Sequence, residues 1–231
     1  MKRLTLFLLM VLLTAVTVLP QKTARKSVIG VNTGISIPLD EFAVKSFTYD
    51  AGFSSPGPNL EVEYLYYGKI FGFSSSVGYT SLFFNEKAYQ AEYDRTMDGY
   101  GTNEVSAGNY QIRKVLVGFT LKTPEFNHTE VMLLFHLGYA GAVHPNLLVT
   151  NSELGVINSV DKNDGGGLVA SMGLKINYWL NSRYGVSLNG SLSGMSSGFI
   201  DETGPGGNFF MPMNHSDVNF GFVMNLKSPR L

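Results

Sequence analysis

Apolar residues alternate with small or polar ones along most of this chain. In Val28–Leu39, Ile29, Val31, Thr33, Ile35 and Ile37 take one parity, and Gly30, Asn32, Gly34 and Ser36 take the other. Successive side chains of a strand point to opposite faces, so a period of two reads as strand, where a period of 3.6 would read as helix. Residues 59–67 repeat the pattern, with Leu60, Val62, Tyr64 and Tyr66 against Glu61, Glu63 and Leu65. In 70–84, Phe71, Phe73, Val77, Tyr79 and Phe83 oppose Gly72, Ser74, Ser76, Gly78 and Thr80. The pattern weakens in 109–122, where Val115, Val117, Phe119 and Leu121 oppose Lys114, Gly118 and Thr120. It returns in 130–143, 167–180, 184–199 and 218–226. These are eight strands of 9 to 16 residues. Soluble strands run to about 5–6 residues, whereas a tilted membrane strand needs about 9–11.

The connections alternate too. Residues 40–58, 85–108, 144–166 and 200–216 are long, and 68–69, 123–129 and 181–183 are short. Long and short in turn, with both chain ends on the short side, is the layout of an outer-membrane barrel. The expected fold is all-β: an up-and-down, antiparallel, eight-stranded transmembrane β-barrel. The polar parity is built of Gly, Ser, Asn and Thr. Only Glu61, Glu63, Arg113, Lys114 and Lys175 place charge well inside strands. Such residues suit the narrow interior of an eight-stranded barrel, and a sheet in lipid must close to satisfy its backbone. The apolar parity therefore faces lipid. Tyr64, Tyr66, Tyr67 and Phe71 flank one short turn, and Tyr178, Trp179 and Tyr184 flank another. These are expected to form the interfacial girdle of the periplasmic side.

Composition sharpens this picture. Of 231 residues, 15% are charged, against about 25% in an ordinary globular domain. The net charge of −1 gives no overall footprint for nucleic acid. The absence of Cys excludes disulfides, Cys-based zinc sites and thiol chemistry. Lys2 and Arg3 precede an apolar run from Leu4 to Leu19. Residues 1–20 therefore read as a secretory signal peptide, cut somewhere in 17–26, and 27–231 as one barrel domain.

The opening segment Val28–Pro38 and the closing segment Val218–Leu226 carry a resemblance to a known group. Over residues 28–226 the chain resembles the eight-stranded outer-membrane β-barrel family of Gram-negative bacteria, the OmpA-transmembrane-domain and OmpX-like group. The resemblance implies residence in the cell outer membrane. It also implies outer-membrane lipid, lipopolysaccharide and the barrel-assembly machinery as partners. It names no activity. One departure is the tail Lys227–Leu231 beyond the last strand, where many such barrels end on an aromatic residue.

Candidate chemistry falls in two places. Glu61, Glu63, Lys114, His136 and Lys175 share the inward parity and are expected to form a structural charge network in the lumen. Residues 85–108 are acidic and tyrosine-rich, and Tyr89, Tyr93, Asp94 and Tyr100 are the candidate recognition residues. The acidic residues of this connection, Glu86, Glu92, Asp94, Asp98 and Glu104, would also suit divalent cations that bridge lipopolysaccharide. His128 is expected in a periplasmic turn, and His144 and His215 on the outer rim. In His215-Ser216-Asp217 the His and Ser are adjacent, so their side chains point apart in a strand and make no triad. Met211, Met213 and His215 are soft ligands of a kind that suits Cu(I), but they read better as an apolar loop tip. No metal, cofactor or catalysis is expected. The reading is an integral outer-membrane barrel with a structural or surface-interaction role and no open pore. The alternatives are a lipid-modifying outer-membrane enzyme and a narrow transport or secretion-accessory pore.

Overall fold

A computed structural model describes residues 26–48, 51–97, 101–200 and 208–226. The expected signal peptide lies outside them. Eight long strands form the wall: β1 (Lys26–Pro38), β3 (Gly57–Tyr67), β4 (Phe71–Phe84), β6 (Tyr110–Lys122), β7 (Thr129–His144), β10 (Asn163–Trp179), β11 (Tyr184–Ile200) and β13 (His215–Asn225). Each pairs antiparallel with its neighbours in that order. The ring closes because β1 pairs on one edge with β3 and on the other with β13. Closure leaves no strand edge in the wall, as lipid requires. No described helix is long and apolar enough to cross a membrane.

The short turns follow local chemistry. Asn127 and His128 both have positive φ (47° and 66°), and Phe126 and Thr129 exchange backbone hydrogen bonds across them. Positive φ at both central residues is the tight hairpin turn whose twist matches the strands. At the next short turn, the Asn181 side chain accepts from the N–H groups of Arg183 and Tyr184 at 2.9 and 2.8 Å. Within the wall, a Cβ at Gly118 or Gly138 would collide with a carbonyl oxygen of the adjacent strand. Glycine there lets strongly coiled strands approach in a narrow barrel.

The long connections are more ordered than the aperiodic sequence suggested. They carry short strands β2 (Ser54–Ser55), β5 (Asn103–Ala107), β8 (Leu147–Asn151), β9 (Gly155–Val160) and β12 (Asn208–Pro212). Helix α1 (Glu86–Thr96) stands between β4 and β5. Strands β5, β8 and β9 form a separate small sheet. Helix α1 starts at Asn85, whose side chain accepts from the Ala88 N–H at 3.0 Å, with Glu86 in the first turn and Arg95 in the last. Cap and charges agree with the helix dipole. Strands β10 and β13 begin a few residues before their expected starts, at Asn163 and His215.

The two faces differ as their parities predict. The exterior is apolar, led by Leu168 at 81% exposed and Phe73 at 73%. The interior is layered, and here expectation needs correcting, because it is not uniformly small and polar. Toward the end carrying the short turns, the expected periplasmic end, Val28, Leu65, Tyr67, Met132, Leu134, Trp179 and Val223 form an apolar plug. Toward the end carrying the long connections, the expected extracellular end, a second apolar layer includes Leu82, Ile112, Leu116, Met195 and Phe199. Phe42, from a short 3-10 turn at Asp40–Ala43, caps that layer and packs edge-on against Tyr110 at 5.0 Å.

Candidate functional site

Between the plugs lies a belt of buried polar and charged groups. Glu63 of β3 is ion-paired with Lys175 of β10, and both are fully or almost fully buried. Asn32 donates to Glu63 Oε1 at 3.1 Å and accepts from Ser187 Oγ at 2.8 Å. A second centre forms at Asp217, which takes Lys114 Nζ at 2.6 Å, Asn59 Nδ2 at 3.2 Å and the Ser36 hydroxyl. Glu61 accepts from Ser76 at 3.4 Å. His136 shares a 2.6 Å hydrogen bond with Ser74. Each carboxylate thus meets a cation or a hydroxyl, which is what a desolvated charge requires.

The structure distributes the five lumen residues over separate contacts. Glu63 and Lys175 meet each other, Lys114 meets Asp217, and Glu61 and His136 meet serines. In the sequence expectation Asp217 stands only within the His215-Ser216-Asp217 cluster and not as a lumen charge, although it shares its parity with Asn219 and Gly221. His215 is corrected: it is fully buried and inward, not on the rim. Its Nδ1 is 3.0 Å from the Met213 carbonyl and its Nε2 is 3.8 Å from Asp217. The imidazole is therefore tied to the backbone through Nδ1, while Nε2 stands beyond hydrogen-bond distance of the carboxylate. Met211 and Met213 are buried in the upper apolar layer, not at an exposed loop tip.

A third charge centre also went unexpected. Glu130 accepts from Lys26 at 2.9 Å, Lys122 at 3.1 Å, Tyr67 at 2.8 Å and the Trp179 indole at 2.9 Å. This overturns part of the girdle. Tyr67 and Trp179 turn inward, at 1% and 3% exposed, because a buried carboxylate offers their polar tips a partner. Tyr64, Phe71, Tyr178 and Tyr184 remain on the exterior.

A Ser–His pair invites a test for nucleophilic chemistry. A working dyad needs the base oriented by a third group and a path for substrate. Among the described residues no carboxylate is hydrogen-bonded to His136, and apolar layers lie above and below it.

The extracellular assembly has a different character. Tyr89 and Tyr93 lie four residues apart on one face of α1 and pack inward against Phe47 at 5.1 Å each. Tyr89 also packs on Phe53 and Phe84. Burial, reinforced by Tyr93, pushes the Tyr89 phenol well above its ordinary value, so it stays neutral. Asp94 is a strut, accepting from Asn103 Nδ2 at 2.8 Å. Tyr100 lies outside the described residues. Glu92 is held below the usual carboxylate range by Arg95 and by the Phe47 N–H. The candidate recognition residues thus build the assembly more than they face a partner. The four-residue spacing of Tyr89 and Tyr93 is the one local signal that could have placed them on one helix face; the sequence expectation does not draw on it.

No family model matches the chain, and no curated protein matches it. Solved structures do. Neisserial surface protein A (NspA) aligns with TM-score 0.51 and 4% identity, covering 88% of this chain and 99% of that one. A major outer membrane protein from Thermus thermophilus aligns with TM-score 0.50 and 12% identity, covering 88% and 100%. At such identities the likeness is one of fold. The protein is an eight-stranded transmembrane β-barrel of the outer-membrane type.

Proposed function

We propose that this chain is an integral outer-membrane protein whose role is structural or surface-interacting, without conduction or catalysis. One observation carries the reading: the lumen is filled by two apolar layers with an internally paired charge belt between them. Eight strands enclose a space just wide enough for side chains, and here side chains occupy it. What the barrel presents to the outside is the helix, small sheet and aromatic packing of its long connections. Rigid scaffolds concentrate function on such loops. Outer-membrane lipid and lipopolysaccharide are the partners of its apolar exterior, and the assembly machinery inserts it.

The chain has no native Cys, so single-cysteine labelling is clean. A membrane-impermeant thiol reagent on intact cells labels Ser106→Cys, while Asn127→Cys labels only after the outer membrane is permeabilised. Labelling of Asn127→Cys alone would overturn the assigned topology. Purified protein incubated with lipid A releases no acyl chains; release above an empty-vesicle control would overturn the non-catalytic role.

A further inference from the structure

Above the upper apolar layer the extracellular assembly encloses a cavity of about 690 Å³. This is within the range of small-molecule sites, about 300–1,000 Å³. Its apolar wall includes the rings of Phe53, Phe84, Tyr89, Tyr110 and Phe209. Its exposed side carries Asp161 and Asp164, with Lys162 between them. The floor is closed, because Tyr110 donates to the Gly52 carbonyl at 2.8 Å and packs on Phe42. A molecule entering from outside therefore stops here.

The ring framework is preset. Phe53 has φ of 47°, a conformation a bulky residue seldom adopts. It is held there by its N–H to the Val44 carbonyl at 3.0 Å, while its own carbonyl accepts from the Asn85 N–H at 2.7 Å. Its ring stacks with Phe84 at 6.2 Å and meets Tyr89 edge-on at 4.8 Å. Strain of this kind persists where surrounding structure over-determines it, and such sites are often ligand sites.

Charge selects the occupant. Aromatic faces attract cations and carboxylates attract them further, and quaternary ammonium groups are bound by aromatic cages for this reason. Lys162 opposes this, but two carboxylates outweigh one ammonium at the mouth. That net negative charge concentrates cations at the mouth.

We propose that this cavity binds a small organic cation with an apolar body, of the quaternary-ammonium class, from the extracellular side. The inference rests on the reading of the extracellular end as the working face. The test uses the full-length mature protein in nanodiscs, titrated calorimetrically with benzyltrimethylammonium, with benzyl alcohol and benzoate as neutral and anionic controls and empty nanodiscs as the blank. Saturable binding of the ammonium is expected, weaker binding of benzyl alcohol, and none of benzoate. Asp161→Asn with Asp164→Asn lowers the ammonium affinity about fivefold, and Lys162→Ala raises it about twofold. All three positions are exposed, so the fold survives these changes. Benzoate binding as tightly as the ammonium, no saturable binding beyond empty nanodiscs, or an affinity indifferent to the paired Asp change would overturn the proposal. The surface reading fails in a separate experiment, the intact-cell labelling of Ser106→Cys.

Discussion

The lumen belt and the extracellular assembly both contain acidic groups and tyrosines, yet they use them in opposite ways. In the lumen, Glu63, Asp217 and Glu130 each have a lysine within ion-pair distance, and hydroxyls, amides or an indole supply further bonds. Their binding capacity is turned on one another. Outside, Asp161 and Asp164 stand on the open side of an aromatic cavity with one lysine between them. The same residue types are structural where water is excluded and available where it is not. Desolvation is the difference: a buried charge left unpaired costs several kcal/mol, whereas an exposed one costs almost nothing.

The largest effects should come from breaking the belt. Lys175→Met leaves Glu63 buried without its cation and should cost about 3–5 kcal/mol. Urea unfolding of the protein in lipid vesicles measures this, and the double change Glu63→Leu with Lys175→Met should recover most of the loss. If the single and double variants unfold alike, the pair is not what holds this level of the barrel. A smaller loss, about 1–3 kcal/mol, is expected from Gly118→Val, where a side chain meets the Phe135 carbonyl oxygen. Heat-modifiable gel migration should show a reduced folded fraction. Outside the wall, Asn85→Ala removes the cap of α1 and should cost about 1 kcal/mol. Hydrogen exchange should quicken over 86–96 while the wall strands stay protected; quickening throughout would join the two regions into one cooperative unit.

The smallest expected effect is one of pH. The Glu92 carboxyl is held lower in the folded protein than in the unfolded chain, first by Arg95 and then by the Phe47 N–H. Its contribution is therefore present above the ordinary carboxylate range and fades as pH falls through the lowered value. Glu92 is half-buried at the surface of the assembly, so the effect is local. The Phe47 amide resonance should shift with that titration, and Glu92→Gln should abolish the shift.

How much of this was legible in the sequence differs between the same two regions. The wall was legible because a side chain facing lipid and one facing the lumen must alternate, and nothing else competes with that rule. The inward turn of Tyr67 and Trp179 was legible too, since Tyr67 shares a parity with Glu61 and Glu63, and Trp179 with Lys175 and Asn177. Position near a turn suggested the girdle instead. What parity cannot supply is level: which lysine meets which carboxylate depends on the stagger of strands far apart in sequence, as with Lys114 and Asp217. The extracellular assembly was the least legible. Its order comes from side-chain bonds between distant segments, such as Asp94 with Asn103 and Tyr93 with Asn158, and these leave no period.

On the proposed function the barrel works at its outer face and conducts nothing through its lumen. Single-channel recording of the purified, folded protein in a planar bilayer tests it most directly. A quiet membrane is expected across the applied voltages, with folded protein confirmed in the same preparation by heat-modifiable migration. Sustained, unitary conductance steps from that preparation would contradict it.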